Sequence, residues 1–180
     1  MKIVKTLNPL SLESLNFLGR TKFIADAMLG RLARWLRLLG FDTLYYRDIS
    51  DAHFFRIAKQ QNRFILTRDT HFLRFKNFSD FLLIKLNDTF DQLVELIKIL
   101  GLKEFGVSRC VRCNGVLLEL HEKKEIRSLV PGHVYLHSSK FLRCKDCNWI
   151  YWEGSHMKRF RERVCEALHC QNGGWSDSKV

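Results

Sequence analysis

Apolar runs of strand length alternate with stretches of helical periodicity along much of the chain. These runs and stretches follow one another at 23–25, 29–39, 43–46, 50–61, 64–67, 81–84 and 88–100. Gly40 and Gly101 stand where helices commonly end. Strands that alternate with helices predict an α/β fold with a mainly parallel sheet, covered by helices on both faces.

The pattern changes after residue 106, where cysteines and turn residues become frequent. Two Cys-x-x-Cys pairs flank a polar stretch that contains Pro131 and Gly132. A basic segment over 155–169 has apolar residues at helical spacing and predicts a helix. We therefore expect an N-terminal extension over 1–21, an α/β domain over 22–104, a cysteine-containing unit with a basic C-terminal helix over 106–170, and a flexible tail over 171–180.

The two cysteine pairs predict a structural zinc site. Two residues between thiolates allow both sulfur atoms to reach one ion, and two such pairs supply a closed tetrahedral shell from Cys110, Cys113, Cys144 and Cys147. Two disulfides, or a redox-active pair, are the alternatives, and a cytoplasmic chain disfavours them. We interpret Cys165 and Cys170 as small apolar side chains, with a second metal or a bond between them as the weaker alternative.

Acidic side chains follow the predicted strands. Asp26 ends the first strand, Asp69 follows a later one, and Asp51 and Asp48 lie near the start of the intervening helix. The carboxyl ends of parallel strands meet at one edge, so these carboxylates are expected to converge there. Converging carboxylates need a cation, and oxygen ligands favour Mg²⁺ or Mn²⁺, which can polarise a phosphodiester. For any one aspartate, helix capping is the alternative.

The charge balance favours a polyanionic partner. The chain has 30 Lys and Arg against 19 Asp and Glu, a net charge of +11, and the excess is spread over both predicted parts. Such a field favours nucleic acid, although a merely soluble basic protein is the alternative. No apolar run approaches the length of a membrane span and the start lacks a signal-peptide core, so we expect a cytoplasmic protein without a membrane partner.

Several basic residues are candidates for contact with phosphates. They lie on the first helix, beside Asp69 and on the C-terminal helix, and they are Arg31, Arg34, Arg37, Arg68, Lys158, Arg159, Arg161 and Arg163. A solvated helix face is the alternative for the first three. Trp149, Tyr151 and Trp152 could stack on unpaired bases or form the small core of the cysteine-containing unit.

Four motifs resemble those of the Mut-seven C-terminal RNase domain family, a PIN-like group. Its opening signature is similar to FIADAMLGRLARWLRLLGFDT at 23–43, and its later strand motif matches ILTRD at 65–69. Its two zinc knuckles resemble VSRCVRCNG at 107–115 and FLRCKDCNWIYWEGSH at 141–156. The resemblance spans about 22–164.

The resemblance implies a PIN-like three-layer α/β/α sandwich followed by a small zinc ribbon. It also implies a metal-dependent ribonuclease that acts on RNA. By position in the motifs, Asp26, Asp51 and Asp69 correspond to the catalytic carboxylates that hold Mg²⁺ or Mn²⁺. His71 stands where related proteins often have a further aspartate, which leaves the number of bound metal ions open.

A binding protein without catalytic activity is the alternative class. A zinc-ribbon RNA-binding or adaptor protein would keep the cysteines and the positive charge, but it would not need converging carboxylates. The arrangement of the three aspartates therefore distinguishes the two classes.

Overall fold

The computed structural model describes residues 22–74, 81–102, 105–152 and 154–169. The predicted N-terminal extension, the predicted tail and Cys170 lie outside the described residues. Within the described part, no helix combines the length and apolar character needed to cross a membrane.

The first part of the chain alternates strands and helices, as its hydrophobic pattern predicts. Its elements are β1 (Phe23–Ala25), α1 (Gly30–Leu38), β2 (Thr43–Tyr45), α2 (Asp51–Gln60), β3 (Phe64–Thr67), β4 (Phe81–Leu83) and α3 (Thr89–Leu100). Short 3-10 helices lie at Ala27–Leu29 and Thr70–Arg74. Asp88 accepts hydrogen bonds from two backbone N–H groups at the start of α3, and Gly101 ends this helix in the left-handed region.

The four strands form one parallel sheet in the order β2-β1-β3-β4. Their carboxyl ends therefore lie along one side of the sheet. We call the residues that follow these ends, at 26, 46–50, 68–69 and 84–88, the carboxyl edge. The opposite side, at the start of the strands, is the amino edge.

Two apolar cores cover the two faces of this sheet. Phe23 and Leu66 belong to a core with side chains of α1 and α3, whereas Ile24 and Ile65 belong to a second core with α2 and Phe72. All four strand side chains are fully buried because strand residues alternate between the two faces. This arrangement is a three-layer α/β/α sandwich and confirms the predicted fold class.

The cysteine-containing part forms a small antiparallel sheet. Its elements are β5 (Leu117–Glu119), a 3-10 helix (Lys123–Ile126), α4 (Gly132–His137), β6 (Phe141–Cys144), β7 (Ile150–Trp152) and α5 (Ser155–Leu168), and the strand order is β5-β6-β7. One face of the sheet packs Phe141 and Ile150 against the segment that contains α4. The other face carries Leu117 and the sulfur-bearing residues Cys110 and Cys144.

Helix α5 packs against the α/β domain. Val164 is fully buried in the core formed by α1 and α3, and the rings of Phe160 and Trp35 lie 5.5 Å apart. The guanidinium of Arg163 lies 3.8 Å from the centre of the Phe90 ring. The sequence pattern groups this helix with the cysteine-containing unit, whereas its apolar side contributes to the core of the first part.

A buried polar joint connects the first cysteine pair to the amino edge. Arg37 donates from Nε to the carbonyl of Thr43 and from Nη1 to the carbonyl of Val111, each at 2.8 Å. Asn114 accepts a hydrogen bond from the backbone N–H of Thr43 and donates one to the Asp42 carboxylate. The residues between and after the first two cysteines are therefore fixed to the start of β2.

Arg37 differs from the expectation that it lies on a solvated arginine stripe. Its exposed fraction is 4%, whereas Arg31 and Arg34 are exposed. Burial lowers the pKa of the Arg37 guanidinium, and negative charge on the Cys110 and Cys113 sulfur atoms raises it. Arg31, Arg34 and Arg37 advance around α1 by about 60° at each step, and Arg37 is the one that meets the cysteine-containing unit, at the carbonyl of Val111.

The backbone approaches itself closely at this joint. A Cβ added to Gly40, whose φ is +92°, would lie 2.7 Å from the carbonyl carbon of Gly106. The N–H of Gly106 donates to the carbonyl of Leu39, and the Ser108 hydroxyl donates to the carbonyl of Leu38. Only glycine at position 40 allows this contact.

Replacement of Arg37 by alanine tests the joint. Arg37→Ala would leave the carbonyls of Thr43 and Val111 without their donor, and we expect it to lower the free energy of unfolding by about 3 kcal/mol. Arg34→Ala, one turn earlier and exposed, is the matched control and should change it by less than about 0.5 kcal/mol. Urea unfolding of both zinc-loaded proteins measures the difference, and equal losses would contradict a structural role for Arg37.

Candidate metal sites and nucleic-acid interface

The four predicted zinc ligands converge. The sulfur atoms of Cys110, Cys113, Cys144 and Cys147 all lie within 4.8 Å of one another. The Cys110–Cys147 and Cys113–Cys144 sulfur distances are 3.5 and 3.4 Å, well beyond a disulfide bond length. The four cysteines are unbridged here, and their arrangement fits four ligands around one ion.

The two cysteine pairs have matching backbone geometry. In the first, the N–H of Cys110 donates to the carbonyl of Gly115, and the N–H of Asn114 donates to the carbonyl of Cys110. In the second, Cys144 and Asn148 make the equivalent bonds, with Trp149 in the place of Gly115. Asn114 and Asn148 both have positive φ, at 72° and 59°. Each pair therefore forms a knuckle that folds back toward the other.

The protonation of the cysteines reflects their crowding. Burial raises the pKa of the Cys110 thiol, but hydrogen bonds from the Tyr151 hydroxyl and from backbone N–H groups outweigh it, and the pKa falls to about 6. Partial burial, together with the neighbouring sulfur atoms, raises the pKa of Cys113 to about 12, and burial raises that of Cys147. Because four adjacent thiolates require a compensating cation, this donor set suits structural zinc.

The carboxyl edge carries the predicted acidic residues. Asp26 follows β1, and its Oδ1 accepts a hydrogen bond from the N–H of Met28. Its Oδ2 accepts from the Thr67 hydroxyl at 2.7 Å and from the N–H of Arg68 at 2.6 Å. The Asp26 side chain is thus directed across the end of the neighbouring strand β3.

Asp69 lies two residues beyond the end of β3. Its N–H donates to the Thr67 hydroxyl oxygen at 3.0 Å, so Thr67 contacts both Asp26 and Asp69. The Asp69 Oδ1 accepts from the N–H of His71 and lies 3.8 Å from the His71 ring nitrogen. Asp69 is half-buried, and His71 is exposed.

Asp51 begins α2 on the other side of β1 and is exposed. The three aspartates therefore follow three adjacent strands of the sheet. Among the described residues, only the four cysteines form a group of three or more His, Cys, Asp or Glu side chains whose ligand atoms all lie within 4.8 Å of one another. The three aspartates do not form such a group. The structure links the Asp26 carboxylate and the backbone N–H of Asp69 through one hydroxyl group, whereas Asp51 is exposed.

The candidate basic residues have different environments. Arg31, Arg34, Lys158, Arg159 and Arg163 are exposed, and Arg161 is half-buried. Arg163 also packs on the Phe90 ring. Arg68 donates from Nη2 to the Asn87 side-chain oxygen at 2.7 Å. The exposed basic residues thus lie on α1 and α5, and Arg68 lies at the carboxyl edge itself.

The aromatic residues of the second knuckle separate into two groups. Tyr151 is hydrogen-bonded to the Cys110 sulfur and packs in the small core of the cysteine unit. Trp149 is about half exposed, with the Arg112 guanidinium 4.2 Å from its ring centre, and Trp152 is also exposed. The small-core alternative therefore applies to Tyr151.

The sequence did not predict the contacts that three residues of these sites make. Thr67 ends β3, Asn87 follows β4, and Asn114 follows a knuckle. Thr67 and Asn114 could have been identified from their positions, because each lies beside an acidic or a cysteine motif. No local signal marks Asn87, because its partner Arg68 is distant in sequence.

Replacement of Gly115 tests the zinc site. A Cβ at this position would lie 2.8 Å from the Cys144 sulfur and closer still to the Asp146 carboxylate. We expect Gly115→Ala to weaken zinc binding about 10- to 100-fold, as measured by chelator competition. Gly132→Ala is the control, since its Cβ would meet nothing within 4 Å. Unchanged zinc affinity in the Gly115 variant would contradict the assignment.

A protein-family model matches most of the chain. The family model described as Mut7-C RNAse domain matches residues 21–164, which include both knuckles and all three aspartates. No curated protein and no solved structure matches the chain. The match covers most of the chain, and it agrees with the parallel sheet and the four-cysteine cluster. The chain therefore belongs to the Mut7-C RNAse domain family.

Proposed function

We propose that the chain is a metal-dependent ribonuclease, which hydrolyses RNA phosphodiester bonds at the carboxyl edge. The observation that carries the proposal is that the Thr67 hydroxyl links the Asp26 carboxylate to the main chain of Asp69, at the ends of adjacent parallel strands. This is the edge at which α/β proteins place their active sites. The description of the family as an RNase domain supports RNA as the substrate.

The carboxylates have the capacity to hold Mg²⁺ or Mn²⁺. Asp26 accepts three hydrogen bonds, which leaves one of its roughly four acceptor positions, on Oδ1. Within the described residues, the Asp69 carboxylate accepts one hydrogen bond, from the N–H of His71 to Oδ1. Mg²⁺ commonly binds one or two carboxylates and keeps several waters, so a site at this edge would not need all three aspartates as direct ligands.

We assign cation binding, positioning of the carboxylates and phosphate binding to different residues of this site. Asp26 and Asp69 would hold the cation with Asp51, and the bound cation would supply Lewis-acid polarisation of the phosphodiester. Thr67 orients Asp26 and the backbone of Asp69. Arg68 and the exposed Arg31 and Arg34 of α1 would bind phosphates of the strand. The net charge of +11 would favour approach of RNA.

The zinc ribbon has a supporting role in this proposal. Four cysteine ligands leave no open position for a reacting group, which assigns the zinc to structure. The exposed Lys158 and Arg159 on α5 would extend RNA contact beyond the carboxyl edge. RNA binding by these residues would appear as salt-dependent affinity.

Neutralising the aspartates tests catalysis. We expect Asp26→Asn and Asp69→Asn to reduce cleavage of single-stranded RNA in Mn²⁺ by about 100-fold or more, because each loses a charged ligand. Asp91→Asn removes an exposed carboxylate from α3 and should leave the rate unchanged. Omission of Mg²⁺ and Mn²⁺ should also stop cleavage. EDTA is a poor substitute for omission, since it would remove zinc as well.

Two outcomes would contradict the proposal. Equal cleavage by the wild type and both variants would indicate a contaminating nuclease or another site. RNA binding by the wild type without cleavage in either metal would favour the non-catalytic RNA-binding alternative.

Thr67 provides a separate test of how the carboxylates are positioned. Thr67→Val keeps the shape of this fully buried side chain but removes the hydroxyl that contacts Asp26 and Asp69. We expect cleavage to fall about 10- to 100-fold and to require more Mn²⁺. Thr67→Ser retains the hydroxyl and should recover most of the activity. Equal losses in both variants would argue against the hydrogen bonds as the cause.

A further inference from the structure

Arg68 connects the candidate catalytic carboxylates to the loop after β4. Its backbone N–H donates to Asp26 Oδ2 at 2.6 Å, and its guanidinium donates to the Asn87 side-chain oxygen at 2.7 Å. The main chain of Arg68 thus lies against Asp26, while its side chain extends toward β4. The guanidinium is thereby held at the carboxyl edge.

A buried glutamine braces the loop that holds Arg68. Gln92 on α3 is 4% exposed, and its side-chain amide donates to the carbonyl of Leu86 at 2.8 Å and to that of Asn87 at 3.5 Å. Asp88 caps the same helix through the N–H groups of Phe90 and Asp91. The backbone on both sides of Asn87 is therefore fixed, which limits where its side-chain oxygen can lie.

The side chain that Arg68 contacts, the Asn87 amide, is neutral and therefore does not neutralise the positive charge of the guanidinium. Arg63, Arg109 and Arg143 form ion pairs with acidic side chains. Arg68 forms none with the described residues, and Asp26 receives its backbone N–H rather than its guanidinium. A planar guanidinium that no described acidic side chain pairs with, and that has donors to spare, is suited to a phosphate group.

We propose that Asn87 is a positioning residue that, with Gln92 behind it, holds Arg68 to bind a phosphate of the RNA strand. The bound group is a backbone phosphodiester next to the one that is cut, so this inference rests on the proposed ribonuclease function. A neutral amide fixes the direction of the guanidinium and leaves its charge for the RNA. A carboxylate at position 87 would hold the guanidinium equally well but neutralise it.

The test measures RNA binding apart from cleavage. Affinity for a labelled single-stranded RNA is measured by fluorescence anisotropy in a KCl series, on zinc-loaded protein with no Mg²⁺ or Mn²⁺ added. For single strands the salt slope is about 0.7 per phosphate contact, so loss of one contact lowers affinity about fivefold at about 0.1 M salt. We expect Arg68→Ala, Asn87→Ala and Asn87→Asp each to show this loss and the shallower slope.

Lys98→Ala is the matched control for net charge. Lys98 is an exposed cation near the other end of α3, so its removal lowers the charge by the same amount away from the carboxyl edge. It should keep the wild-type slope. A melting temperature and a zinc content like those of the wild type show that each variant is folded. If the Asn87 variants do not fold, Arg68→Ala alone provides the test.

The outcomes separate this inference from the proposed function. Wild-type slope in Arg68→Ala, or in folded Asn87→Ala, would overturn the inference even if Asp26→Asn abolishes cleavage. Shallower slopes in a protein that never cleaves RNA would support the phosphate site and contradict the ribonuclease proposal. Asn87→Asp with wild-type affinity would overturn the argument that a neutral partner is needed.

Discussion

The hydrogen bonds of the buried Arg37 side chain hold the two parts of the molecule together. A guanidinium removed from water must find acceptors, and those of Arg37 are carbonyl groups of Thr43 and Val111, one on each side of the joint. Asn114 adds a neighbouring connection to Thr43 and Asp42. The position of the first knuckle is consequently set by the α/β domain as well as by its own cysteines.

Because these hydrogen bonds fix the first knuckle to the amino edge, the two edges of the sheet differ in what they contact. The amino edge is occupied by the first knuckle, whereas the carboxyl edge keeps its polar side chains available. Helix α5 returns from the ribbon to pack Val164 and Phe160 on the outer side of the α/β domain. The ribbon therefore supports the fold from behind the proposed catalytic site, and its terminal helix places basic residues on the surface of the first domain.

Sequence pattern was sufficient for features governed by local spacing. Alternating periodicity predicted the parallel α/β/α layers, and Cys-x-x-Cys spacing predicted the cysteine cluster. Spacing could not separate Arg37 from Arg34, because the difference depends on a knuckle that packs there from far along the chain. The same limit applies to Asn87, whose partner Arg68 follows a different strand. Helix α5 was assigned to the ribbon by sequence neighbourhood, although its apolar residues pack elsewhere.

The contact between Gly40 and Gly106 has a mechanical consequence. Where two stretches of main chain touch without intervening side chains, there is no compressible layer, and bending would force backbone atoms together. This contact thus fixes Gly106, at the start of the cysteine-containing part, against the end of α1. A nucleic-acid strand bound to both parts would contact surfaces held at a fixed distance, so the strand itself would have to bend or extend to fit.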